Sequence, residues 1–423
     1  MKTGVSMLVI LAVLVVASVG FAQQYNLTGS GARAEGFGGA FIGVADDATA
    51  VVWNPGGLSQ LQRPEASVVV RTVGESWDYK DASNSANNWT ATQSHFVFNF
   101  ASLAVPFKMG STNLVVAAAY QRQLDWYDTW DQPDDKYTTT GGVDTFTPGV
   151  GIQVTPTISL GLAANIWFGK NKHDETYTST TSLTGQRQWN YNGTYSGTNF
   201  VIGGLLDLGG LGKPVPLKIG VCAKTPFNLK ADFSYEYIPA LNGFIDDFGN
   251  VQTATLSTYA TTGTIQMPLM LGFGASYRIG ENLTVAADYE TRAFGNKEIN
   301  ITYNSPYDQF FLPIKNKMSA SGTNLNQVRL GAEYLIVADV GVFPLRAGYF
   351  NLPSLSGYEN ADGSFSQIIG AGFSVGTGYI SEKFALDATY SRSTTDYGGV
   401  SGGTNWTDHY VKSTISASLI FYF

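Results

Sequence analysis

The feature that most constrains this chain is a strict alternation of apolar and polar residues, sustained over ten residues or more at several places. In "LTVAADYETRAF", Leu283, Val285, Ala287 and Tyr289 point one way, while Thr284, Asp288, Glu290 and Arg292 point the other. In "QVRLGAEYLI", Val328, Leu330, Ala332, Tyr334 and Ile336 oppose Arg329, Gly331 and Glu333. The last segment, "STISASLIFYF", puts Ile415, Ala417, Leu419, Phe421 and Phe423 on one face. A period of two is that of a strand. Such runs exceed the five or six residues of a usual globular strand and suit the roughly 9 to 11 of a tilted strand crossing a bilayer.

The connections sharpen this. Short ones fall at 108–112, 155–157, 209–216, 280–282, 338–342 and 379–383, and between them lie polar stretches near 74–93, 126–142, 170–198, 238–262, 295–325, 353–364 and 394–408. Long and short strictly alternate, as in a barrel with tight turns at its periplasmic end and long loops outside. The count rests on Leu217 to Tyr237, where Leu217, Ile219, Val221 and Ala223 share their parity with Leu229, Ala231, Phe233, Tyr235 and Tyr237 across Pro226. The unbroken phase predicts one long bent strand. The expected fold is therefore all-β: a 14-stranded antiparallel transmembrane β-barrel, with both barrel ends periplasmic.

Composition agrees. Charged residues are only 14% of the chain, against about 25% in ordinary soluble domains, while Gly numbers 48, Tyr 23 and Phe 25. A net charge of -8 argues against nucleic acid as a partner. Lys2, the apolar run from Met7 to Ala17 and the small residues before Gln23 read as a secretory signal over 1–22, so the chain is expected in the outer membrane of a Gram-negative-type bacterium. No later run approaches the ~20 apolar residues of a membrane helix. Cys222 is the only cysteine, so no intrachain disulfide can form.

Ahead of the barrel (65–423), residues 23–64 do not alternate. "GSGARA" from Gly29 fits the glycine pattern of a dinucleotide site, but it lacks the strand before and the helix after that would give the pattern a meaning. A wide barrel leaves an open lumen unless something fills it, so this segment is the expected N-terminal, partly helical hatch plugging the lumen. Asp46 is its expected helix N-cap, with Asp47 in the first turn, for a helix running through Trp53.

The stretch "GARAEGFGGAFIGVADDATAVVWNPGGL" resembles the hatch of the FadL family of outer-membrane transporters. Asn54 and Pro55 match the family's Asn-Pro-Ala triplet, and Gly56 stands where the alanine would be. "AKTPFNLKADF", "MPLMLGFGASYRIGENLTVAADYE" and the terminal Phe423 are also similar to family features, Phe423 to the signal read by the barrel-assembly machinery. The resemblance implies uptake of a hydrophobic small molecule, a long-chain fatty acid or an aromatic hydrocarbon, by capture in the barrel and hatch movement. Its implied partners are that ligand, outer-membrane lipid and lipopolysaccharide, and the assembly machinery during biogenesis. A related barrel serves as a docking component in type IX secretion, so protein docking is the alternative function. A passive porin is a third reading, which the expected hatch opposes.

The residues expected to gate are Trp53, Asn54 and Pro55; the plainer reading of Asn54 and Pro55, that they merely end a helix, stands beside it. Trp77, Trp89, Trp126, Trp130, Trp189 and Trp406 fall in or beside long loops, either as a capture surface or as a membrane girdle. Lys218, Lys224, Lys230, Asp232, Asp288, Glu290, Arg292, Arg329, Glu333, Arg346 and Asp387 all lie on the polar parity and are expected in the lumen as a paired network, with a carboxylate-holding cation as the other reading. None is assigned to ligand. Asp125, Asp128, Asp131, Asp134 and Asp135 read as a solvated acidic loop, with calcium the other possibility. His95, His173 and His409 lie in separate segments and no nucleophile or metal-site motif occurs, so the expectation is no enzyme, no metal and no cofactor.

Overall fold

The computed structural model describes residues 29–110, 112–132, 135–178, 186–211, 215–238, 244–245, 251–252, 257–304, 314–317, 322–359, 365–401 and 404–423. The expected leader and the start of the mature chain lie outside these residues, as do parts of the stretches expected as long loops.

The strands run β1 Glu65–Asp81, β2 Trp89–Met109, β3 Thr112–Asp125 and Asp128–Asp131, β4 Asp135–Gln153, β5 Ile158–Thr178, β6 Gln186–Asp207, β7 Leu217–Lys224 and Phe227–Ile238, β8 Ser257–Met267 and Met270–Ile279, β9 Leu283–Arg292 and Glu298–Asn304, β10 Ile314–Lys317 and Leu325–Ala338, β11 Gly341–Glu359, β12 Phe365–Ile380, β13 Phe384–Ser401 and β14 Thr404–Tyr422. Each pairs antiparallel with its neighbours, and β1 pairs with β14 from Glu65↔Tyr422 to Asp81↔Trp406, closing a 14-stranded barrel. The short connections and both barrel ends share one rim, as expected. An outward belt including Phe98, Leu103, Phe107, Phe146, Leu160, Phe200 and Ile202 is exposed around the wall and is its lipid-facing surface.

The strands are longer than the sequence reading allowed. β1 was expected to end near Val73 and reaches Asp81; β4, β5 and β6 take up most of the stretches expected as loops at 126–142 and 170–198. Above the bilayer the wall meets water outside, so outward positions become polar while the ladder continues.

This change of solvent also corrects the expected phase of β7. In its first piece the even residues Gly220 and Cys222 face inward, and Ile219 and Val221 face lipid. Thr225 and Pro226 interrupt the strand, and beyond them the odd residues Leu229 and Ala231 are buried inward while Lys230 and Asp232 are exposed outside. Lys230 and Asp232 are therefore not lumenal. A local irregularity puts successive residues on one side and swaps the faces that follow. The same swap occurs in β8 at Pro268 and Leu269 and in β9 between Arg292 and Glu298. Below this level the wall's apolar face meets lipid; above it, on these strands, the apolar face lines the lumen.

The hatch fills the short-turn half of the lumen. Its helices are brief: α1 Ala32–Gly36, which the sequence reading did not foresee, and α2 Ala50–Trp53, followed by a 3₁₀ turn Pro55–Gln60. The helix expected from Asp46 begins later, because Ala45 sits at positive φ and Asp47 spends its carboxylate on Thr49, accepting from Thr49 N at 2.9 Å. Between the helices Gly38 and Gly39 take φ +65° and +78°, a turn that side chains disfavour. The wall answers with glycines of its own: a methyl group added at Gly331 would strike Phe37, and one at Gly348 would strike Gly38. Hatch backbone thus lies directly on barrel backbone. Gly348→Val is expected to unseat the hatch at a cost of about 1–3 kcal/mol, seen as faster amide exchange over 36–42 in a barrel that keeps its heat-dependent gel mobility; unchanged exchange would contradict the close packing.

Candidate functional site

Trp53, Asn54 and Pro55 form one continuous contact between hatch and wall. Trp53 is buried, donates from Nε1 to Ser30 O at 2.8 Å, packs on Phe41, and lies 5.8 Å beneath the Arg329 guanidinium. Asn54 donates through Nδ2 to Ile42 O at 2.9 Å within the hatch and to Gly204 O at 3.0 Å on β6, and its Oδ1 accepts from Gly56 N at 3.1 Å. Pro55 presses on β5 and β6 where Gly161 and Gly203 leave room. Gly56 also has its reason: a methyl there would meet Gly203 C at 3.1 Å and Gly204 Cα at 3.0 Å, so an alanine would require the wall to give.

Most of the lumenal charges are paired, and several pairs reach the hatch. Arg33 bridges Asp46 at 2.5 Å and Glu333 at 3.1 Å; Arg346 holds Glu333 and Asp387, each at 2.6 Å. Arg71 donates to Glu35 at 2.9 Å, and Arg329 pairs with Glu290 at 3.3 Å. Asp288 accepts from the amides of Phe41 at 2.7 Å and Ile42 at 2.8 Å. At the rim Asn113 donates to Ser59 O at 2.6 Å and Leu61 O at 2.8 Å, and Lys218 donates to Gln60. Buried charges are tolerable only when paired in this way.

Above the hatch the inward faces of β3 to β11 form a second apolar cluster, including Leu124, Trp167, Tyr195, Leu229, Met267, Phe294 and Leu355. Rings lead into it from the mouth. Trp189 meets Tyr235 at 6.1 Å, Tyr235 meets Tyr191 at 5.7 Å, Tyr191 meets Phe233 at 6.1 Å, Phe233 meets Tyr195 at 5.9 Å, and Tyr195 stacks on Trp126 at 6.0 Å. Deeper, Trp167 and Phe227 lie 5.0 Å apart. Between this cluster and the hatch is a cavity of about 30 Å³, walled by Trp167, Phe227, Met267 and Met270 together with Asn165, Asn199, Lys224 and Arg292. Arg292 pairs with Glu290, whereas Lys224 has no ion pair among the described residues. The volume suits about two waters.

The remaining tryptophans also gather at the mouth. Tyr79 stacks between Trp89 at 5.5 Å and Trp406 at 6.0 Å, Trp89 meets Trp130 at 5.0 Å, and Trp77 meets Tyr410 at 5.3 Å. Trp77 and Tyr79 share the lumen-facing parity of Val73. The acidic run is dispersed: Asp125 joins His95, Asp128 accepts from Tyr137 at 3.2 Å, and Asp131 meets Lys136 at 2.5 Å, while Asp134 lies outside the described residues. Among the described residues no three His, Cys, Asp or Glu side chains converge.

Among the described residues three seams lose ladder bonds toward the mouth: β10–β11 beyond Arg329↔Phe350, β12–β13 beyond Ala371↔Thr394, and β2–β3. β1 and β2 pair up to Tyr79↔Trp89, but β2 and β3 stop at Phe100↔Gln121. Above that level side chains bridge the strands: Asn99 donates to Arg122 O at 3.5 Å, and Gln93 Oε1 accepts from Thr129 N at 2.9 Å.

The BamG family model matches residues 5–334. The chain belongs to the BamG family. Solved structures similar to it include a Pseudomonas aeruginosa FadL homologue (TM-score 0.67, 13% identity, covering 95% of this chain and 99% of that one). The P. putida toluene transporter TodX scores 0.62 at 13% identity, covering 94% and 99%. The Ralstonia pickettii toluene transporter TbuX scores 0.58 at 14%, covering 94% and 100%. No curated protein matches. At these identities the likeness establishes the fold, and the FadL-type barrel expected from the hatch residues is the fold found.

In this BamG-family barrel the expected gating residues do meet, and the expected lumenal charges other than Lys230 and Asp232 lie inside. The ring series was missed, because Phe233 and Tyr235 share the parity of lipid-facing Val221. Its signal was Pro226 in mid-strand followed by Lys230, Asp232 and Glu236 in alternation, more charge than a lipid-facing strand carries.

Burial raises the Asp47 carboxyl above its ordinary pKa, with Asp46 adding to the rise and Arg33, 3.7 Å away, opposing it. Glu65, which accepts from Ala48 N at 3.0 Å, faces the same turn. A raised folded pKa contributes stability in full below the unfolded value, near 3.8, and loses it as pH rises through the folded value. Amide protection over Ala48–Trp53, corrected for the intrinsic rise of exchange with pH, is therefore expected to fall from pH 4 to neutrality, and Asp47→Asn to flatten that fall. An unaltered pH profile in the variant would contradict it.

Proposed function

We propose that this barrel takes up hydrophobic small molecules, long-chain fatty acids or aromatic hydrocarbons, across the outer membrane. The observation that carries the reading is the ring series from Trp189 down to Trp126, which leads from the mouth to the apolar cluster above the hatch. The similar structures, those of a FadL homologue and of toluene transporters, support it. A ligand enters among the rings, spreads the cluster, and reaches the cavity, where Lys224 is placed to receive a carboxylate. Onward passage requires Trp53, Asn54 and Pro55 to leave β5 and β6. The seam between β2 and β3 is the proposed lateral exit, since side chains part more readily than a ladder.

The alternative function is a barrel that docks other proteins, as in a type IX-like secretion system. The test is a titration of detergent-folded protein with a fluorescent long-chain fatty acid, displaced by palmitate and by toluene. Saturable, displaceable binding is expected at micromolar concentration or below. Lys224→Met is expected to weaken palmitate about tenfold or more while sparing toluene, and Asn54→Ala to leave binding intact but change uptake into vesicles. No displaceable binding by folded protein would favour docking.

A further inference from the structure

The lipid-facing belt is shallow on one side. Ala275 pairs with Ala287 across β8 and β9, and Ala332 with Ala347 across β10 and β11, so small side chains adjoin where β2 to β6 carry many large ones. They floor an apolar groove of about 660 Å³, rimmed by Tyr277 and Tyr349. The same wall is held from within: Phe37 packs on Gly331, Gly38 on Gly348, and Gly43 on the backbone of Ala275. Here the barrel is one backbone thick, with the hatch on one side and the groove on the other.

We propose that the groove is a binding site for one acyl chain of an outer-membrane lipid. It lies inside the belt, where hydrocarbon and not water is the solvent, and its lining has no charged side chain to hold a headgroup. A void there would forfeit contacts on every lining atom, and a linear chain fills a groove across four strands without a matching ridge. An ordered chain at this place backs the wall on which the hatch rests. The proposal stands apart from the transport reading, because the ligand titration can fail while the groove remains occupied.

The test reconstitutes the full protein in phosphatidylethanolamine and phosphatidylglycerol vesicles containing a phospholipid with a diazirine in its acyl chain, and maps photo-adducts by mass spectrometry. Adducts are expected to be several-fold more frequent on β8–β11 than on β4–β6. Filling the groove with Ala332→Phe and Ala347→Phe, or more mildly with Ala287→Leu, is expected to remove that excess in protein whose heat-dependent gel mobility is normal. An even distribution in the wild-type barrel, or an excess that survives filling, would each overturn the proposal.

Discussion

Everything in this molecule depends on closing the backbone hydrogen-bond ladder. In hydrocarbon an unpaired N–H or C=O costs several kcal/mol, so a sheet can cross the bilayer only if it has no edge. The pairing of β1 with β14, from Glu65 to Asp81, supplies that closure. Fourteen strands then enclose a lumen too wide for wall side chains alone, and the segment ahead of β1 fills it.

The way it is filled bears on function. The hatch is seated by backbone on backbone at Gly331 and Gly348, by buried ion pairs such as Arg33–Glu333, and by the amides of Phe41 and Ile42 on Asp288. Breaking a buried pair leaves an uncompensated charge and costs about 3–5 kcal/mol. Such a plug does not drift. The proposed opening is therefore local, and the segment from Trp53 to Pro55 suits it because its ties to the wall are hydrogen bonds and close packing, with no formal charge of its own to strand.

Strand number, closure and the presence of a plug were legible because alternation and the spacing of turns report directly on pairing. Parity alone could not say which solvent each face meets. It placed Lys230 and Asp232 inside, since the apolar residues of β7 keep one phase through Pro226, while the wall itself reverses there. Phe233 and Tyr235, two rings of the proposed ligand path, were hidden by the same step, while Tyr191 and Tyr195 lay in the stretch expected as a loop near 170–198. Trp53, Asn54 and Pro55 were visible through their local motif, whereas their partner on the wall, Gly204, is 150 positions away and carries no signal of its own.

The account's central claim is that the lumen above the hatch receives a hydrophobic ligand. The most direct measurement is a crystal structure of the protein soaked with a fatty acid brominated near the middle of its chain, read by the anomalous signal of bromine. The account predicts a bromine peak inside the barrel, among Trp167, Leu229 and Leu355. Peaks confined to the outer wall would contradict it.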